Sequence, residues 1–576
     1  MRKDIFDTET YLGKPLYKVT RPKNLRDVIK TRLKEFPDNP VFLVKEKKGG
    51  EYVPISTEKY DHDIDSLGTA LMHYVPKGSR VAILSETRYE WYTSYLATTN
   101  GTGCVVPLDK ELKSEEIESM LNRAEVDILI FSKSKKDVVE EVYGKVPTMK
   151  YWISMDDTDD ERFLSYSKFI KEGEDLLASG DKTFTEATID PEEMTVLLFT
   201  SGTTAKSKAV MLCQRNICKN LISMFSMLYI DVDDVFFSVL PLHHTYECTC
   251  GFLGQVYRGT TISVCEGLRY IAQNLQEAKP TCVLMVPVML EMFYKKIMKG
   301  VNADPKKAKK LQTGIKLSRF LLKFKIDVRK KLFKQIHDIF GGRMRLIILG
   351  GAPVNPEILT FFQDMGFLCV QGYGLTECAP ILALNRDIDF KNQAAGLPLP
   401  GCDVKILNPD EDGIGEFIAK GDNVFMGYYK DPENTSAALD ADGYYHTGDL
   451  GYIDEDHFCI ITGRKKNVII AKNGKNVFPE EIEYLLSLSP YVCESVISGV
   501  EDEARDDIII KATIFPEMEE VTAKLGEDPS EDAITELLKE VVSETNEKLP
   551  NYKKIKKVEL RMTEFEKNTS KKIKRY

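Results

Sequence analysis

The hydrophobic pattern of the first part of the chain alternates between helical and strand spacing. Asn24–Phe36 and Ser66–Val75 carry apolar residues three and four positions apart, which is typical of amphipathic helices. Apolar runs and helical segments then take turns, at Arg80–Leu84, Glu90–Thr99, Cys104–Pro107, Ser114–Arg123 and Val126–Phe131. Strands that alternate with helices of this length predict a doubly wound parallel sheet.

The alternation resumes after a polar, acidic stretch, Asp156–Glu186, which we interpret as a surface excursion. We predict a helix at Gln214–Leu228 and further strands at Asp234–Leu240, Gly259–Val264, Thr281–Val286 and Arg345–Leu349. From Gly401 the chain changes to short strands separated by glycine turns. These patterns predict an α/β fold with a domain boundary near Arg464–Asn467.

One segment, Lys306–Lys334, combines many cations with apolar residues. The apolar residues recur at helical spacing: Leu317, Phe320, Leu321, Phe324 and Val328. A helix packed on the protein with a solvated basic face is the more common form of this pattern. The alternative is a basic amphipathic helix that lies on an anionic membrane surface.

Composition and charge narrow the class of protein. With 576 residues, 43% of them hydrophobic and 29% charged, the chain is expected to fold as two or more globular domains. A formal net charge of −11 argues against a dedicated nucleic-acid binder. The twelve cysteines lack zinc-ligand spacing, and no apolar run approaches the roughly 18 residues of a membrane span. We expect a cytoplasmic protein that is at most peripheral on a membrane.

A loop rich in hydroxyl groups follows the apolar run Val196–Phe199. It begins with Thr200, Ser201, Gly202, Thr203 and Thr204, continues to Lys206 and Lys208, and leads into a second apolar run. Backbone N–H groups, hydroxyl donors and ammonium charge suit a polyphosphate. The spacing is not that of a Walker A loop. The alternative is a polar hairpin tip without a ligand.

Four later stretches carry further candidate chemistry. Gly350–Pro353 follows a strand and offers tight backbone, and Gln371–Glu377 combines an aromatic ring for stacking with a carboxylate for Mg²⁺. Tyr445–Asp449 supplies a carboxylate suited to a ribose diol, and Gly463–Asn467 supplies a guanidinium for ribose or phosphate. Each stretch alone could be an ordinary turn. Their order along the chain is that of the motifs in a known superfamily, and this resemblance favours a nucleotide site.

Phe199–Val210 and these four stretches together resemble the adenylate-forming superfamily, which includes acyl-CoA synthetases, firefly-type luciferases and the adenylation domains of peptide synthetases. Ala205 and Ala209 stand where glycine is typical, and Ser207 where proline is. The segment from residue 331 to residue 377 is most similar to long-chain fatty acyl-CoA ligases. The resemblance implies a large N-terminal domain, residues 1–465, with doubly wound sheets and a distorted β-barrel. Residues 466–576 would form a small, mobile α+β domain that carries the catalytic lysine.

The resemblance also implies the roles of individual residues. Catalytic roles fall on Lys572, Glu377, Thr376 and His244, and magnesium on Glu377 and Thr203. Binding of ATP and the other substrates falls on Thr200, Ser201, Gly202, Thr203, Thr204, Lys208, Gly351, Ala352, Pro353, Gly372, Tyr373, Gly374, Asp449, Arg464, Lys466 and Gly474. His244 would be a gate beside the acyl pocket, although the pair His243 and His244 could equally be core histidines. Lys466 would be the hinge.

The catalytic lysine is assigned from the frame of the C-terminal motif. Aligning Ile573 and Arg575 with the family motif puts the lysine at Lys572. Lys571 replaces the usual glycine and Glu566 the usual proline. The alternative is a basic tail with no catalytic role.

The implied reaction is ATP-dependent activation of a fatty, long-chain carboxylic acid to acyl-AMP, followed by transfer to CoA. ATP, Mg²⁺ and CoA as acceptor are therefore the expected ligands, with small molecules and no nucleic acid as partners. One alternative is acyl transfer to the phosphopantetheine of a carrier protein. A luciferase-like oxidation of the same adenylate has no support in the residues. The alternative from another class is a non-catalytic binder of acyl groups or nucleotides.

Overall fold

The computed structural model describes residues 16–200, 207–470, 476–502, 507–567 and 573–575. The first helices are α1 (Leu25–Glu35), α2 (Thr57–Tyr74), α3 (Tyr89–Ala97), α4 (Ser114–Arg123), α5 (Lys136–Val142), α6 (Tyr166–Ala178), α7 (Gln214–Phe225), α8 (Gly254–Arg258) and α9 (Ile271–Ala278). They are followed by α10 (Pro287–Asn302), α11 (Pro305–Leu322), α12 (Arg329–Leu332), α13 (Lys334–Ile339), α14 (Pro356–Met365), α15 (Pro432–Ala438), α16 (Pro479–Ser487), α17 (Met518–Leu525) and α18 (Glu531–Glu547).

The strands of the first half are β1 (Phe42–Val44), β2 (Val53–Ile55), β3 (Ser79–Leu84), β4 (Gly103–Pro107), β5 (Ile128–Phe131), β6 (Tyr151–Ser154), β7 (Leu164–Ser165), β8 (Met194–Thr200), β9 (Lys208–Cys213), β10 (Val235–Ser238), β11 (Thr261–Val264) and β12 (Cys282–Met285). The later strands are β13 (Leu346–Leu349), β14 (Leu368–Gly374), β15 (Ile381–Leu384), β16 (Leu397–Pro398), β17 (Cys402–Leu407), β18 (Gly415–Gly421), β19 (Gly427–Tyr428), β20 (Tyr445–Ile453), β21 (Cys459–Arg464), β22 (Ile469–Ile470), β23 (Asn476–Val477), β24 (Val492–Asp502), β25 (Asp507–Pro516) and β26 (Ile555–Leu560).

Contacts between residues divide the chain into two compact units. The first contains residues 1–403 and 419–445, and the second contains residues 404–418 and 446–576. The domain boundary that the sequence predicts, between residues 465 and 466, separates the part that is expected to move, and it stays a prediction.

Two large sheets form the first unit. Among the described residues, nine strands pair in the order β16-β15-β14-β13-β12-β10-β11-β1-β2, and eight pair in the order β19-β9-β8-β4-β3-β5-β6-β7. In both sheets the central strands are parallel, and antiparallel strands such as β2, β15 and β9 lie toward the edges. Helices connect the parallel strands, so the predicted doubly wound α/β fold is confirmed.

Each large sheet has an apolar core on which helices pack. Leu121 of α4 and Val139 of α5 join Leu129 and Phe131 of β5 in the core of the eight-stranded sheet. Leu290 of α10, with Leu359 and Phe362 of α14, packs on the strands of the nine-stranded sheet. Burying aliphatic and aromatic side chains from both layers is what holds each helix against its sheet.

The second unit has its own apolar core. Strands β24, β25 and β26 form a sheet in which the first pair is antiparallel and the second parallel. Helices α16 and α18 contribute Ile482, Leu486, Leu538 and Val542 to the core on this sheet. The four-stranded sheet β17-β18-β20-β21, in the region predicted as a distorted barrel, lies in this unit apart from its strand ends. The predicted α+β character of the C-terminal region is visible here.

The interpretation of Asp156–Glu186 as a surface excursion is wrong. This stretch contains α6, which packs on α2 and buries Tyr166 and Phe169, and it also contains Phe184, which is fully buried. The apolar positions of α6 have helical spacing, but acidic and lysine residues surround them and hide the pattern. The stretch therefore belongs to the packed part of the first unit.

No helix in the described ranges has the length and apolar character that crossing a bilayer requires.

The contact between α2 and α6 generates a stability prediction. A Cβ at Gly173 of α6 would lie 1.8 Å from the Ser66 backbone oxygen of α2. Gly173→Ala should therefore force the helices apart and lower the free energy of unfolding by about 3 kcal/mol. Gly300→Ala is the control, because a Cβ at Gly300 of α10 meets nothing within 4 Å. Alanine there should raise stability by up to about 1 kcal/mol. Equal effects in chemical denaturation would contradict this account of the helix contact.

Candidate active site

Candidate residues gather at the carboxyl edge of the nine-stranded sheet. Strands β10, β12, β13 and β14 are neighbours and run parallel, so the loops that follow them meet at one edge. After β10 the chain forms β11 on one side of it and then β12 on the other, which makes this a topological switch point. Ligands of open α/β sheets bind outside the carboxyl ends of strands at such a point.

The predicted phosphate loop joins β8 to β9 in the eight-stranded sheet. Thr200 ends β8 and pairs with Lys208, which begins β9, and the Thr200 hydroxyl donates to the Lys208 carbonyl at 3.4 Å. The predicted residues Ser201, Gly202, Thr203 and Thr204 lie outside the described residues. The hairpin form is confirmed for its two strands.

Glu377 lies beside the Lys208 end of this hairpin. It occupies a short turn, Thr376–Cys378, between β14 and β15. The Tyr428 hydroxyl donates to Glu377 Oε1 at 2.9 Å, and the ring of Tyr428 lies 4.6 Å below the Lys208 ammonium. Burial is the largest cause that raises the pKa of Tyr428, followed by the charge of Glu377. Tyr428 therefore stays protonated and links a carboxylate and a cation that are far apart in sequence.

Buried amides hold the turn that carries Glu377. Asn220 of α7 donates from Nδ2 to the carbonyls of Cys378 and Ile381, both at 2.9 Å. Asn423 donates to the same two carbonyls at 3.4 and 3.1 Å. Both asparagines are almost fully buried. These side chains therefore give two carbonyls of the turn and of the strand after it buried hydrogen-bond partners.

The two predicted adenine segments follow adjacent strands. Gly351, Ala352 and Pro353 form an exposed turn after β13, and Gly351 adopts φ +87°, which favours glycine. Gly372, Tyr373 and Gly374 end β14. A Cβ at Gly374 would lie 2.1 Å from the Pro380 carbonyl oxygen, so only glycine fits that close approach. The fold thus brings both segments to the same sheet edge.

The two residues predicted for ribose form an ion pair in the second unit. Asp449 of β20 and Arg464 of β21 are paired across antiparallel strands, and Arg464 Nε lies 2.7 Å from Asp449 Oδ1. The Asp449 side chain is only 6% exposed, whereas that of Arg464 is 42% exposed. The buried carboxylate of Asp449 is therefore held by the guanidinium of Arg464, which is itself partly exposed to solvent.

The hinge candidate and the C-terminal motif also lie in the second unit. Lys466 is in a short turn, Lys465–Asn467, and burial lowers its pKa, with the charges of Arg464 and Arg575 as further causes. Arg575 forms an ion pair with Glu483 of α16. The predicted residues Gly474 and Lys572 lie outside the described residues. Arg575 therefore anchors the described end of the motif that contains Lys572.

A histidine pair follows β10 at the switch point. The rings of His243 and His244 lie 4.0 Å apart. His243 Nε2 is 3.4 Å from Oδ2 of Asp109, which follows β4 of the other large sheet, and both side chains are nearly buried. Burial, followed by the charge of His244, lowers the pKa of His243 to about 3. His243 is therefore neutral at pH 7 and lies beside an aspartate at the carboxyl edge of the other sheet.

A small apolar cavity adjoins the histidine segment. Its lining includes Tyr95, Val196, Leu198, Leu212, Leu242 and Cys248. Its volume is about 10 Å³, which is about the space of one water molecule. An apolar ligand would enter here only if the lining side chains moved.

This geometry agrees with comparisons to known proteins. Residues 29–429 match the family described as AMP-binding enzyme. The chain belongs to the AMP-binding enzyme family. It is 32% identical to long-chain-fatty-acid–CoA ligase 5 of Mus musculus over 494 residues, which is 80% of this chain and 71% of the relative. It is 29% identical to fatty acyl-CoA synthetase A of Dictyostelium discoideum, over 79% of this chain and 71% of the relative.

Solved structures show the same fold. The anthranilate CoA ligase AuaEII in complex with anthranoyl-AMP is 20% identical with a TM-score of 0.75, covering 97% of this chain and 96% of that chain. ATP-bound MatB from Rhodopseudomonas palustris is 24% identical with a TM-score of 0.72, covering 96% and 97%. The predicted adenylate-forming superfamily and α/β fold are confirmed. The predicted enzyme class, an AMP-forming acid–thiol ligase, agrees with the names of the relatives.

The donor set of this AMP-binding enzyme fits Mg²⁺ with a nucleotide. No cluster of three or more His, Cys, Asp or Glu side chains in the described ranges could hold a metal ion. Mg²⁺ usually keeps several waters and binds through one or two carboxylates together with substrate phosphates. A single carboxylate at Glu377, with the ammonium of Lys208 close by, is compatible with that mode.

Sequence reasoning missed Tyr428, Asn220, Asn423 and Asp109. Asn216 and Asn220 lie four residues apart, on the buried face of α7. Two asparagines among the apolar positions of a predicted helix were a signal that these side chains have a structural role. Tyr428 and Asn423 lie in a glycine-rich stretch with no local signal. Asp109 follows the end of a predicted strand, β4 in the structure, which places it at the edge of a sheet. Nothing in the sequence indicates which side chain it contacts there.

The burial of His243 generates a pH prediction. Its pKa is about 3 in the folded protein and about 6.5 when unfolded, so the unfolded chain binds the proton first. Stability from this group is complete above pH 6.5 and is lost as the pH falls toward 3. By pH 5 the loss is about 2 kcal/mol. The groups that face His243 are His244, Asp109 and Lys110.

The measurement is the free energy of unfolding at pH 7 and pH 5 for the wild type and His243→Asn. The difference between the two pH values should shrink by about 2 kcal/mol in the variant. His62→Asn is the control, because that side chain is 54% exposed. An unchanged difference in His243→Asn would show that the histidine accepts a proton in the folded state.

Proposed function

We propose that this AMP-binding enzyme activates a fatty acid with Mg·ATP and transfers the acyl group to CoA. The products are acyl-CoA, AMP and pyrophosphate. The observation that carries the proposal is the cluster of Lys208, Tyr428 and Glu377 at the carboxyl edges of the two large sheets. A cation, a hydroxyl and a carboxylate converge there beside two glycine-rich segments. This combination suits a magnesium nucleotide.

In the first half-reaction a carboxylate oxygen attacks the α-phosphorus of ATP, and the bond to pyrophosphate breaks. Two anions must approach each other, so cations and hydrogen-bond donors that stabilise the developing charge lower the barrier. Lys208 and the hydroxyl groups of Thr200–Thr204 would hold the phosphates. Lys572 would lie between the carboxylate and the α-phosphate. No covalent enzyme intermediate is required.

Glu377 and Thr203 would hold Mg²⁺, and Thr376, which precedes Glu377 in the chain, would take part in catalysis. When bound, the ion neutralises charge on the phosphate oxygens. The hydrogen bond from Tyr428 holds the Glu377 carboxylate, and the amides of Asn220 and Asn423 hold the turn that carries it. Holding a ligand in place through neighbouring hydrogen bonds is the usual support of a metal site.

The remaining parts of the nucleotide have proposed partners. Tyr373 would stack on adenine beside the close backbone of Gly351, Ala352, Pro353, Gly372 and Gly374. Asp449 and Arg464 would bind the ribose hydroxyls, and their ion pair orients the carboxylate for that role. Both assignments follow the resemblance to the family and are supported by the local geometry.

In the second half-reaction the thiol of CoA attacks the acyl carbonyl, and AMP leaves with the bonding electron pair. Gly474 would line the path of the thiol. Lys466 would be the hinge that moves Lys572 away between the two half-reactions. The boundary between residues 465 and 466 is part of this proposal.

The acyl chain would enter at the apolar cavity next to His244 once the side chains that line this cavity move. Its lining is apolar and adjoins the histidine pair, and apolar pockets with few polar groups are typical of lipid sites. His244 would gate the entrance. The names of the relatives, long-chain-fatty-acid–CoA ligase 5 and fatty acyl-CoA synthetase A, support a fatty acid as substrate.

The test is pyrophosphate release by the purified protein with Mg·ATP and acids of different length, with CoA or a phosphopantetheine carrier protein as acceptor. Long-chain fatty acids should give the highest kcat/KM and CoA should be the acceptor.

Glu377→Ala should lower magnesium-dependent release by about 10²–10³-fold, since it removes a charge contact. Its unfolding free energy should change little, because Glu377 is partly exposed.

Glu433→Ala is the matched control, because this glutamate is exposed in α15 of the same unit. It should leave pyrophosphate release unchanged. Near-normal release by Glu377→Ala would remove Glu377 from the metal site. Absence of release with every acid would contradict the proposed reaction and favour a non-catalytic binder.

A further inference from the structure

A surface formed by α11 and the segment after it exposes an unusual number of apolar side chains. Of the sixteen large hydrophobic side chains that are exposed in the described residues, five lie between residues 317 and 332. They are Leu317, Phe320, Phe324, Ile326 and Leu332, with exposures between 42% and 62%. We call the exposed side chains of residues 306–332 the α11 surface. Exposed apolar patches of this kind mark interaction sites.

The helix has one face on the protein and one in solvent. Leu311 and Ile315 pack against the core of the nine-stranded sheet, and Ser318 is buried. Leu317, Phe320 and Phe324 are spaced three and four residues apart on the opposite side. The inner contacts satisfy the packing of the helix, so the outer apolar residues have no role in the core.

The end of the helix brings two apolar side chains to its tip. Lys325 adopts a left-handed conformation, φ +61°, and the Ile326 N–H donates to the Leu321 carbonyl at 3.1 Å. This closes the helix in a compact turn. The rings of Phe320 and Phe324 contact each other with centroids 5.3 Å apart. The turn thus presents Phe324 and Ile326 as a fixed apolar edge.

The charge around this edge has one sign. Residues 306–334 contain twelve Lys and Arg and one carboxylate, Asp327, which is already bound to Arg329. Within the described part of the chain, no carboxylate lies within 4 Å of six of the lysines: Lys306, Lys309, Lys310, Lys316, Lys323 and Lys325. The whole chain has a net charge of −11, so the positive field is local to this surface.

We propose that the α11 surface docks on an anionic lipid bilayer. Lysines near a bilayer are attracted to acidic headgroups, and apolar side chains of an interfacial helix enter the headgroup boundary by about 5–10 Å. Protein interfaces are depleted in lysine at their centre, and the phosphate contacts of a nucleic acid would need no Leu317 or Ile326. The docking goes beyond the proposed reaction and does not require it.

The experiment is flotation of the purified full chain with vesicles of phosphatidylcholine alone or with about 30% phosphatidylserine. The protein should bind only the anionic vesicles. Binding should weaken as salt rises from about 0.02 M to 0.5 M, where the screening length falls from about 20 Å to about 4 Å. No ATP, acid or CoA is needed, so the result is independent of catalysis.

Two variants separate charge from apolar insertion. Replacing Lys309, Lys316, Lys323 and Lys325 by glutamine should lower the partition coefficient by roughly 10²-fold. Leu317→Ser with Phe320→Ser and Phe324→Ser should lower it by about tenfold or more, with little change in salt dependence. The matched control replaces Lys47, Lys133, Lys168 and Lys182, exposed lysines outside this surface, by glutamine. It changes the net charge equally and should bind as the wild type does.

Three outcomes would overturn the proposal. The first is no binding to anionic vesicles at low salt. The second is an equal loss of binding in the control variant, which would assign the effect to overall charge. The third is binding that persists after the three serine substitutions and is competed equally well by an oligonucleotide, which would assign the surface to polyanions in general. Pyrophosphate release from a short, water-soluble acid should be the same in all variants, so a failure here is distinct from failure of the proposed reaction.

Discussion

The position of Glu377 depends on buried amide hydrogen bonds to the turn that carries it. The turn between β14 and β15 is irregular, and the carbonyls of Cys378 and Ile381 accept hydrogen bonds from buried side-chain amides. Asn220 satisfies both at 2.9 Å from a fully buried position. Leaving such a carbonyl unpaired costs about 1–3 kcal/mol. The amides of Asn220 and Asn423 therefore stabilise the turn, and Tyr428 holds the carboxylate that the turn carries.

This constraint also links the two large sheets. Asn220 lies on α7, which directly follows β9, and β9 begins with Lys208. The same stretch of chain thus provides a candidate phosphate cation and holds the candidate metal carboxylate, while Tyr428 of β19 lies between them. A side chain held by several neighbours reorganises little during a reaction, which is the basis of electrostatic stabilisation. The fold and the proposed chemistry depend on the same few polar contacts.

The amount that could be predicted from sequence follows from how local each signal is. The alternation of strands and helices is a local pattern, and it predicted the doubly wound sheets. The hydroxyl-rich loop and the segment ending at Glu377 combine residue types with evident chemistry, so they could be recognised alone. Tyr428, Asn220 and Asp109 could not, because each acts through a partner that is distant in the sequence. Tyr428 and Glu377 are 51 residues apart, Asn220 and Cys378 are 158 apart, and Asp109 and His243 are 134 apart.

What these contacts share is that tertiary packing creates them. A tyrosine, an asparagine or an aspartate has many possible partners in a chain of this length, and local spacing does not select among them. The helix α6 was missed for a related reason, since its buried positions are few and its exposed face is strongly charged. The exposed apolar residues of α11 were visible in the sequence, but only the structure separates the face that packs on the core from the face that does not.

The most direct test of the account is acid-dependent exchange of labelled pyrophosphate into ATP in the absence of CoA. The account predicts exchange with a fatty acid alone, because the adenylate forms before the thiol is needed. Lys572→Ala should lower this exchange by roughly 10²–10⁴-fold and still convert preformed acyl-AMP to acyl-CoA at a rate near that of the wild type, with Lys571→Ala as the control. Exchange that requires CoA, or a Lys572→Ala protein that is equally impaired in both half-reactions, would contradict it.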